Sequence, residues 1–215
     1  MTTRRAPSLW LLRHAQPLIA PGVCYGQLDV PADPSATLQA ALRFAQHGPA
    51  HTPTRYSPLQ RCEQLALAIQ GLESHLTADA RLQEMHFGQW EGRAWNDIAR
   101  AEIDAWSQQL HAVAPGGGES LAAMLQRVRQ ALWHSWQHDS GYGQRDVVWI
   151  THAGVARCVQ WLLRYGQAQP TSSDWKLPAP GFGQWSQLAW ADHAAALQAL
   201  HDSPTLSTTS SRHAH

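Results

Sequence analysis

The chain has 215 residues, enough for one substantial domain or one domain with an insert, and its 16 basic residues balance 16 acidic ones. A formal charge of zero leaves no global basic field to gather nucleic acid or an acidic membrane surface. No apolar run approaches the roughly 18 residues that span a bilayer, and the run near the start is too short for a signal sequence, so a cytoplasmic enzyme or binding domain is expected.

Cys24, Cys62 and Cys158 lack CxxC spacing and read as free thiols. The 13 histidines are dispersed, with no HExxH and no Cys/His cluster, so neither a metal site nor a cofactor is expected. The 11 tryptophans sit mostly in apolar contexts and are expected in the core and in a cleft wall.

In chain order, Ser8–Leu12 reads as a buried strand that stops at Arg13-His14. A long loop from Pro17 to Pro34 follows, with PGVCYGQLDVP at its centre. Thr37 to Gln46 has helical spacing. Thr54–Ser57 reads as a short strand ended by Pro58, and the next helix places Arg61 at its start, with Gly71 as a C-terminal cap. Residues 75–84 give a weak third strand, followed by an ordered loop, LQEMHFGQWEG. Trp95 to Leu110 predicts an amphipathic helix. PGGGES is a loop whose Ser120 caps a helix with a stripe of Leu121, Met124, Leu125, Val128, Leu132 and Trp133. Asp146–Ile150 is the best strand in the chain; it ends at Thr151-His152-Ala153-Gly154, and another helix follows. Gln184–Trp190 alternates and reads as an edge strand. Beyond about Ala194 the composition turns to Ser, Thr and His, and 203–215 is expected to be a disordered tail.

Strands alternating with helices predict an α/β fold with a mostly parallel sheet covered on both faces. Ligands bind at the carboxyl ends of such strands. Arg13-His14, Ser57 to Arg61, and Thr151-His152 therefore converge on one edge. Phosphoryl transfer needs a nucleophile, cations around the equatorial oxygens and an acid for the leaving alkoxide. His14 suits the first role, Arg13, Arg61 and His152 the second, and Glu84 the third. Gln16, Tyr25 and Ser57 are pocket candidates. The Cys158–Arg164 segment has the Cys-x5-Arg spacing of cysteine phosphatases, but its glycine-free interior fits a helix and not a phosphate-binding loop.

LLRHAQP, SPLQRCEQLA, LQEMHFGQWEG, PGGGES and THAGV, in this order over roughly residues 8–165, resemble the histidine phosphatase superfamily, also called phosphoglycerate mutase-like. The resemblance implies a three-layer sandwich with a small helical insert, 85–120, over the active site, within one domain of residues 1–202. It implies a phosphohistidine at His14, phosphate binding by Arg13, Arg61 and His152, general-acid action by Glu84, and no metal. The CYG-x-x-D-V stretch, Cys24 to Val30, is similar to the α-ribazole phosphatase branch, which implies α-ribazole 5′-phosphate or a similar small phosphate ester as substrate. RHAQPLI departs from the common RHGE or RHGQT run, and the short insert weighs against a glycolytic mutase. His86 stands where an aspartate or asparagine is common. A broad-specificity phosphatase, a phosphoglycerate mutase-type phosphotransferase and a non-catalytic phosphate-ligand binding domain are the alternatives. The sequence sets no oligomeric state.

Overall fold

The computed structural model describes residues 5–70 and 75–202. The Gly71 cap and the 203–215 tail lie outside them. Five strands form one sheet: β1 (Ser8–Arg13), β2 (Thr54–Tyr56), β3 (Leu76–Ala78) and β4 (Val147–Thr151) run parallel, and β5 (Trp185–Ala189) is antiparallel at an edge. The order is β3-β2-β4-β1-β5. The two most apolar strands, β1 and β4, are neighbours at the centre. Their continuous apolar runs follow from burial on both faces.

Alternate residues of these strands serve two cores. Trp10, Leu12, Val148 and Ile150 pack against α1 (Pro34–His47) and α2 (Gln60–Gln70). On the other face, Leu9, Leu11, Val147 and Trp149 meet α4 (Leu121–His134), α5 (Ala153–Tyr165) and α6 (Trp190–Asp202), where the Leu121–Leu132 stripe is buried. The result is a three-layer sandwich. Side-chain caps fix two helix starts: Asp33 Oδ1 accepts from the Ala36 N–H at 2.7 Å, and Ser120 Oγ accepts from Ala123 N–H at 3.2 Å.

Two elements differ from the sequence reading. The helix expected over Trp95–Leu110 is split into a 3-10 turn at Trp95–Asp97 and α3 (Arg100–Gln108). The backbone is extended at Ile98 and Ala99 because Ile98 is drawn into a small third cluster with Cys24 and Trp90. The chain past Ala194 remains helical through α6. Its alanine-rich sequence carries little periodic signal, but Trp190, Leu197 and Leu200 are buried against the core. The insert is tied to the long first loop through backbone bonds from Cys24 N–H to Arg93 O and from Trp95 N–H to Gly22 O, both 2.9 Å.

Candidate active site

The carboxyl ends of β1, β2 and β4 point the same way, so their polar residues share one edge. Ladder bonds continue one residue past the strands: His14 N–H donates to Thr151 O at 3.1 Å, and Ser57 N–H to Ile150 O at 3.0 Å. His14, Ser57 and His152 therefore stand on sheet-supported backbone. α2 begins with Gln60-Arg61, and α5 begins immediately after His152, so two helix N-termini open at the same edge.

His14 is 2 % exposed. Its Nδ1 lies 2.7 Å from the Ala15 carbonyl, so Nδ1 carries the proton and Nε2 keeps its lone pair. Burial, then the positive charge of Arg61 and Arg13, holds this imidazole well below its ordinary pKa of 6.5, against the raising effect of the Ala15 bond. The His152 ring centroid lies 5.1 Å away. Burial, followed by Arg61 and His14, lowers its pKa likewise. Ser57 Oγ accepts from the Leu59 N–H at 3.4 Å and lies 2.9 Å from His152 Nε2, which also has Cys62 Sγ at 3.5 Å.

Arg61 is completely buried. It donates to the carbonyls of Leu28 (3.0 Å) and Gly26 (2.6 Å), and its guanidinium stands 5.4 Å from the Tyr25 ring centroid. Arg13 donates to Pro180 O at 3.1 Å and stacks on Phe182 at 3.8 Å. Burial lowers the Arg13 pKa, opposed by Tyr25 and Glu84. After these bonds, Arg13 Nε, Arg61 Nε and His152 Nδ1 remain buried with no partner among the described residues. Buried donors left over at one edge call for an acceptor-rich ligand. Glu84 completes the edge. Its Oε1 accepts from the Met85 N–H and its Oε2 from the Gly154 N–H, each at 3.0 Å.

A cavity of about 310 Å³ brings Arg13, His14, Tyr25, Arg61, Glu84 and His152 together. Its outer wall is apolar and aromatic, built by Val23, Phe87, Trp95, Trp106, Leu121 and Trp175. Several tryptophans thus do form the expected cleft wall. Ser57 lies beneath His152, outside the lining. Gln16 is exposed and does not line the cavity, because Ala15 and Pro17 on either side of it are buried and turn it outward. The His86 side chain is 49 % exposed, 4.0 Å from Glu91, and is also outside the lining.

Sequence reasoning missed several residues. Phe182 lies in a loop without periodic signal, yet its ring packs against both Arg13 and His14. Arg157 lines the cavity; the spacing of five residues after His152 could have pointed to it. Its Nε donates to Leu177 O at 3.0 Å, and it makes no ion pair among the described residues. Among the described residues no group of three or more His, Cys, Asp or Glu is arranged to hold a metal. Burial pushes the thiols up, Cys24 to about 11, Cys62 to about 12 and Cys158 further. Cys158 and Arg164 lie inside α5, so their spacing is helical coincidence.

The unpartnered Arg13 Nε and Arg61 Nε, in one cavity with His14 and His152, suit an oxyanion ligand, and such an edge of an α/β sheet is that of a phosphate-binding protein. The sequence matches the histidine phosphatase superfamily (branch 1) over residues 9–203, and the chain belongs to that family. It is 25 % identical over 201 residues to an adenosylcobalamin/alpha-ribazole phosphatase of Escherichia coli, covering 90 % of this chain and 95 % of that one. It is 34 % identical over 163 residues to a candidate phosphoserine phosphatase of Hydrogenobacter thermophilus, covering 72 % and 77 %. A solved mycobacterial glucosyl-3-phosphoglycerate phosphatase superposes with a TM-score of 0.72 at 25 % identity, covering 85 % and 90 %. Family and relatives together support phosphatase activity. No helix among the described residues is long and apolar enough to cross a membrane.

Proposed function

We propose that the protein is a cytoplasmic, metal-independent phosphomonoester hydrolase that works through a phosphohistidine at His14, on α-ribazole 5′-phosphate or a similar small phosphate ester. The observation that carries this reading is the contact of His14 Nδ1 with the Ala15 carbonyl, which leaves Nε2 its lone pair, in a cavity shared with Arg13, Arg61 and His152, whose Nε, Nε and Nδ1 have no partner among the described residues. Nε2 attacks phosphorus, a P–N bond forms, and the ester P–O bond breaks. The protonated Glu84 carboxyl gives its proton to the departing alkoxide. Water then attacks phosphorus, Glu84 takes its proton, and the P–N bond breaks to release inorganic phosphate. The two arginines and His152 hold the equatorial oxygens throughout.

The aromatic outer wall supports a leaving group that contains an aromatic ring, as α-ribazole does. A second reading, a phosphate ester that also carries a carboxylate, is favoured by Arg157, a cation in the wall without an acidic partner among the described residues. A panel of kcat/KM values on α-ribazole 5′-phosphate, phosphoserine, 3-phosphoglycerate and sugar phosphates separates these readings from a broad-specificity phosphatase, which gives a flat profile. His14→Ala is expected to abolish turnover and the acid-labile phosphoenzyme. Full activity in that variant refutes the assignment, and mutase turnover without net phosphate release would favour a phosphotransferase.

A further inference from the structure

Arg127 lies on α4, away from the cavity lining, yet its guanidinium is fully committed. Nη1 donates to the carbonyls of Arg81 and Gln83, both at 2.7 Å, and Nη2 to the carbonyl of Glu84 at 3.2 Å. Nε and Nη2 also pair with the two Glu119 carboxylate oxygens at 2.7 Å each. The Glu119 N–H in turn donates to His86 O at 2.7 Å. Other side chains hold the rest of this turn: Thr151 Oγ1 donates to Leu82 O at 2.7 Å, and Gln27 Nε2 to Glu84 O at 3.0 Å.

Residues 83–87 run between short 3-10 turns and belong to no strand. With no ladder to satisfy its carbonyls, this stretch takes its conformation from side-chain donors. Arg127 supplies donors to residues on both sides of Leu82 and ties them, through Glu119, to the closing end of the insert. A planar fork with several fixed N–H directions suits this task; a lysine ammonium does not.

We propose that Arg127 is the positioning residue for Glu84: it sets the backbone from which the carboxyl reaches the leaving-group oxygen, and it couples that backbone to the insert. The proposal rests on Glu84 acting as the general acid. It predicts that loss of Arg127 harms proton donation more than phosphate binding. A misplacement of about 1 Å in a catalytic group costs on the order of 100-fold in rate.

The test compares wild type, Arg127→Lys, Arg127→Met and Glu119→Gln on an alkyl phosphate and on 4-nitrophenyl phosphate. The readout is kcat/KM, which reports the phosphorylation step, together with inhibition by inorganic phosphate and phosphoenzyme trapped at His14. For Arg127→Met and Arg127→Lys, kcat/KM on the alkyl phosphate should fall about 100-fold and on 4-nitrophenyl phosphate less than about fivefold, with the phosphate inhibition constant within about threefold of wild type. Glu119→Gln, which keeps Arg127, should show a selective loss of about tenfold or less and covers the case of an Arg127 variant that does not fold. Equal losses on the two substrates in all variants, or a Lys variant with wild-type selectivity, overturn the proposal. Absence of a trapped phosphoenzyme in the wild type refutes the underlying reading instead.

Discussion

Gly154 offers the sharpest probe of the acid. A Cβ built there would lie 3.0 Å from Glu84 Cδ and 3.1 Å from Met124 Cε, with the carboxylate oxygen Oε1 nearer still. Carbon atoms prefer separations of about 3.5–4.0 Å. In Gly154→Ala the carboxyl must therefore retreat by about 1 Å or more, and its bond from the Gly154 N–H is stretched. Gly154 sits in the first turn of α5 with no positive φ, so alanine itself suits the backbone and brings up to about 1 kcal/mol of helix propensity. The clash offsets that gain, and the thermal midpoint should move by only a few degrees. Activity should respond far more. We expect kcat/KM on an alkyl phosphate to fall about 100-fold, on the order of 2.7 kcal/mol of transition-state stabilisation. With 4-nitrophenyl phosphate, whose leaving group needs little protonation, the fall should be under about fivefold. Parallel steady-state kinetics on the two esters provide the check. Equal losses, or an unchanged alkyl rate, would mean that Glu84 is not the proton donor.

Arg61→Lys should raise the inhibition constant for inorganic phosphate at least about tenfold and lower stability by about 2 kcal/mol, because a single ammonium nitrogen on a shorter stem replaces the separate Nη1 and Nη2 that reach the Leu28 and Gly26 carbonyls and removes the Nε donor; isothermal titration and urea melts test this. Stability should fall with acid. His14 and His152 have folded pKa values far below 6.5, so under pH 6.5 the unfolded chain takes up protons that the fold refuses. Between pH 7.5 and 5.5 both therefore lower stability, read as a lower urea midpoint, and a His152→Gln variant should show a shallower slope. A flat profile would contradict the buried neutral pair. Turnover should be unaffected by EDTA, since arginines and imidazoles supply the charge at the phosphoryl group, and loss of rate on chelation would point to metal chemistry. No thiol should react with a disulfide reagent in the native protein, and all three should react after unfolding, because each is buried and two are pushed up to about 11 and 12.

The sheet and the cluster of polar residues at its carboxyl edge were legible in the sequence. A buried apolar run ending in Arg-His, and another ending in Thr-His, are local patterns, and the rule that ligands meet parallel strands at their carboxyl ends placed both at one edge. Arg61 was legible for the same reason, as a strand end followed by a helix start. The break before α3 was not, because it depends on where Ile98 finds a buried neighbour in Cys24 and Trp90. Nor was α6, whose alanines fit a helix or a surface coil equally until Trp190, Leu197 and Leu200 meet the core. Gln16 illustrates the limit in the other direction. It is next to the catalytic stretch in sequence, and the burial of both its neighbours turns it out of the site.

By itself the sequence determined which residue types stand at the carboxyl edge of the sheet, since strand period, helix start and loop composition depend on near neighbours. Only the tertiary structure decided which atoms are free to act. Ser57 meets the His152 ring across 95 positions, Gly154 holds the Glu84 carboxylate across 70, and Arg127 holds the Glu84 carbonyl across 43. These pairings are set by the packing of α4, α5 and the sheet against one another, and no local pattern encodes them.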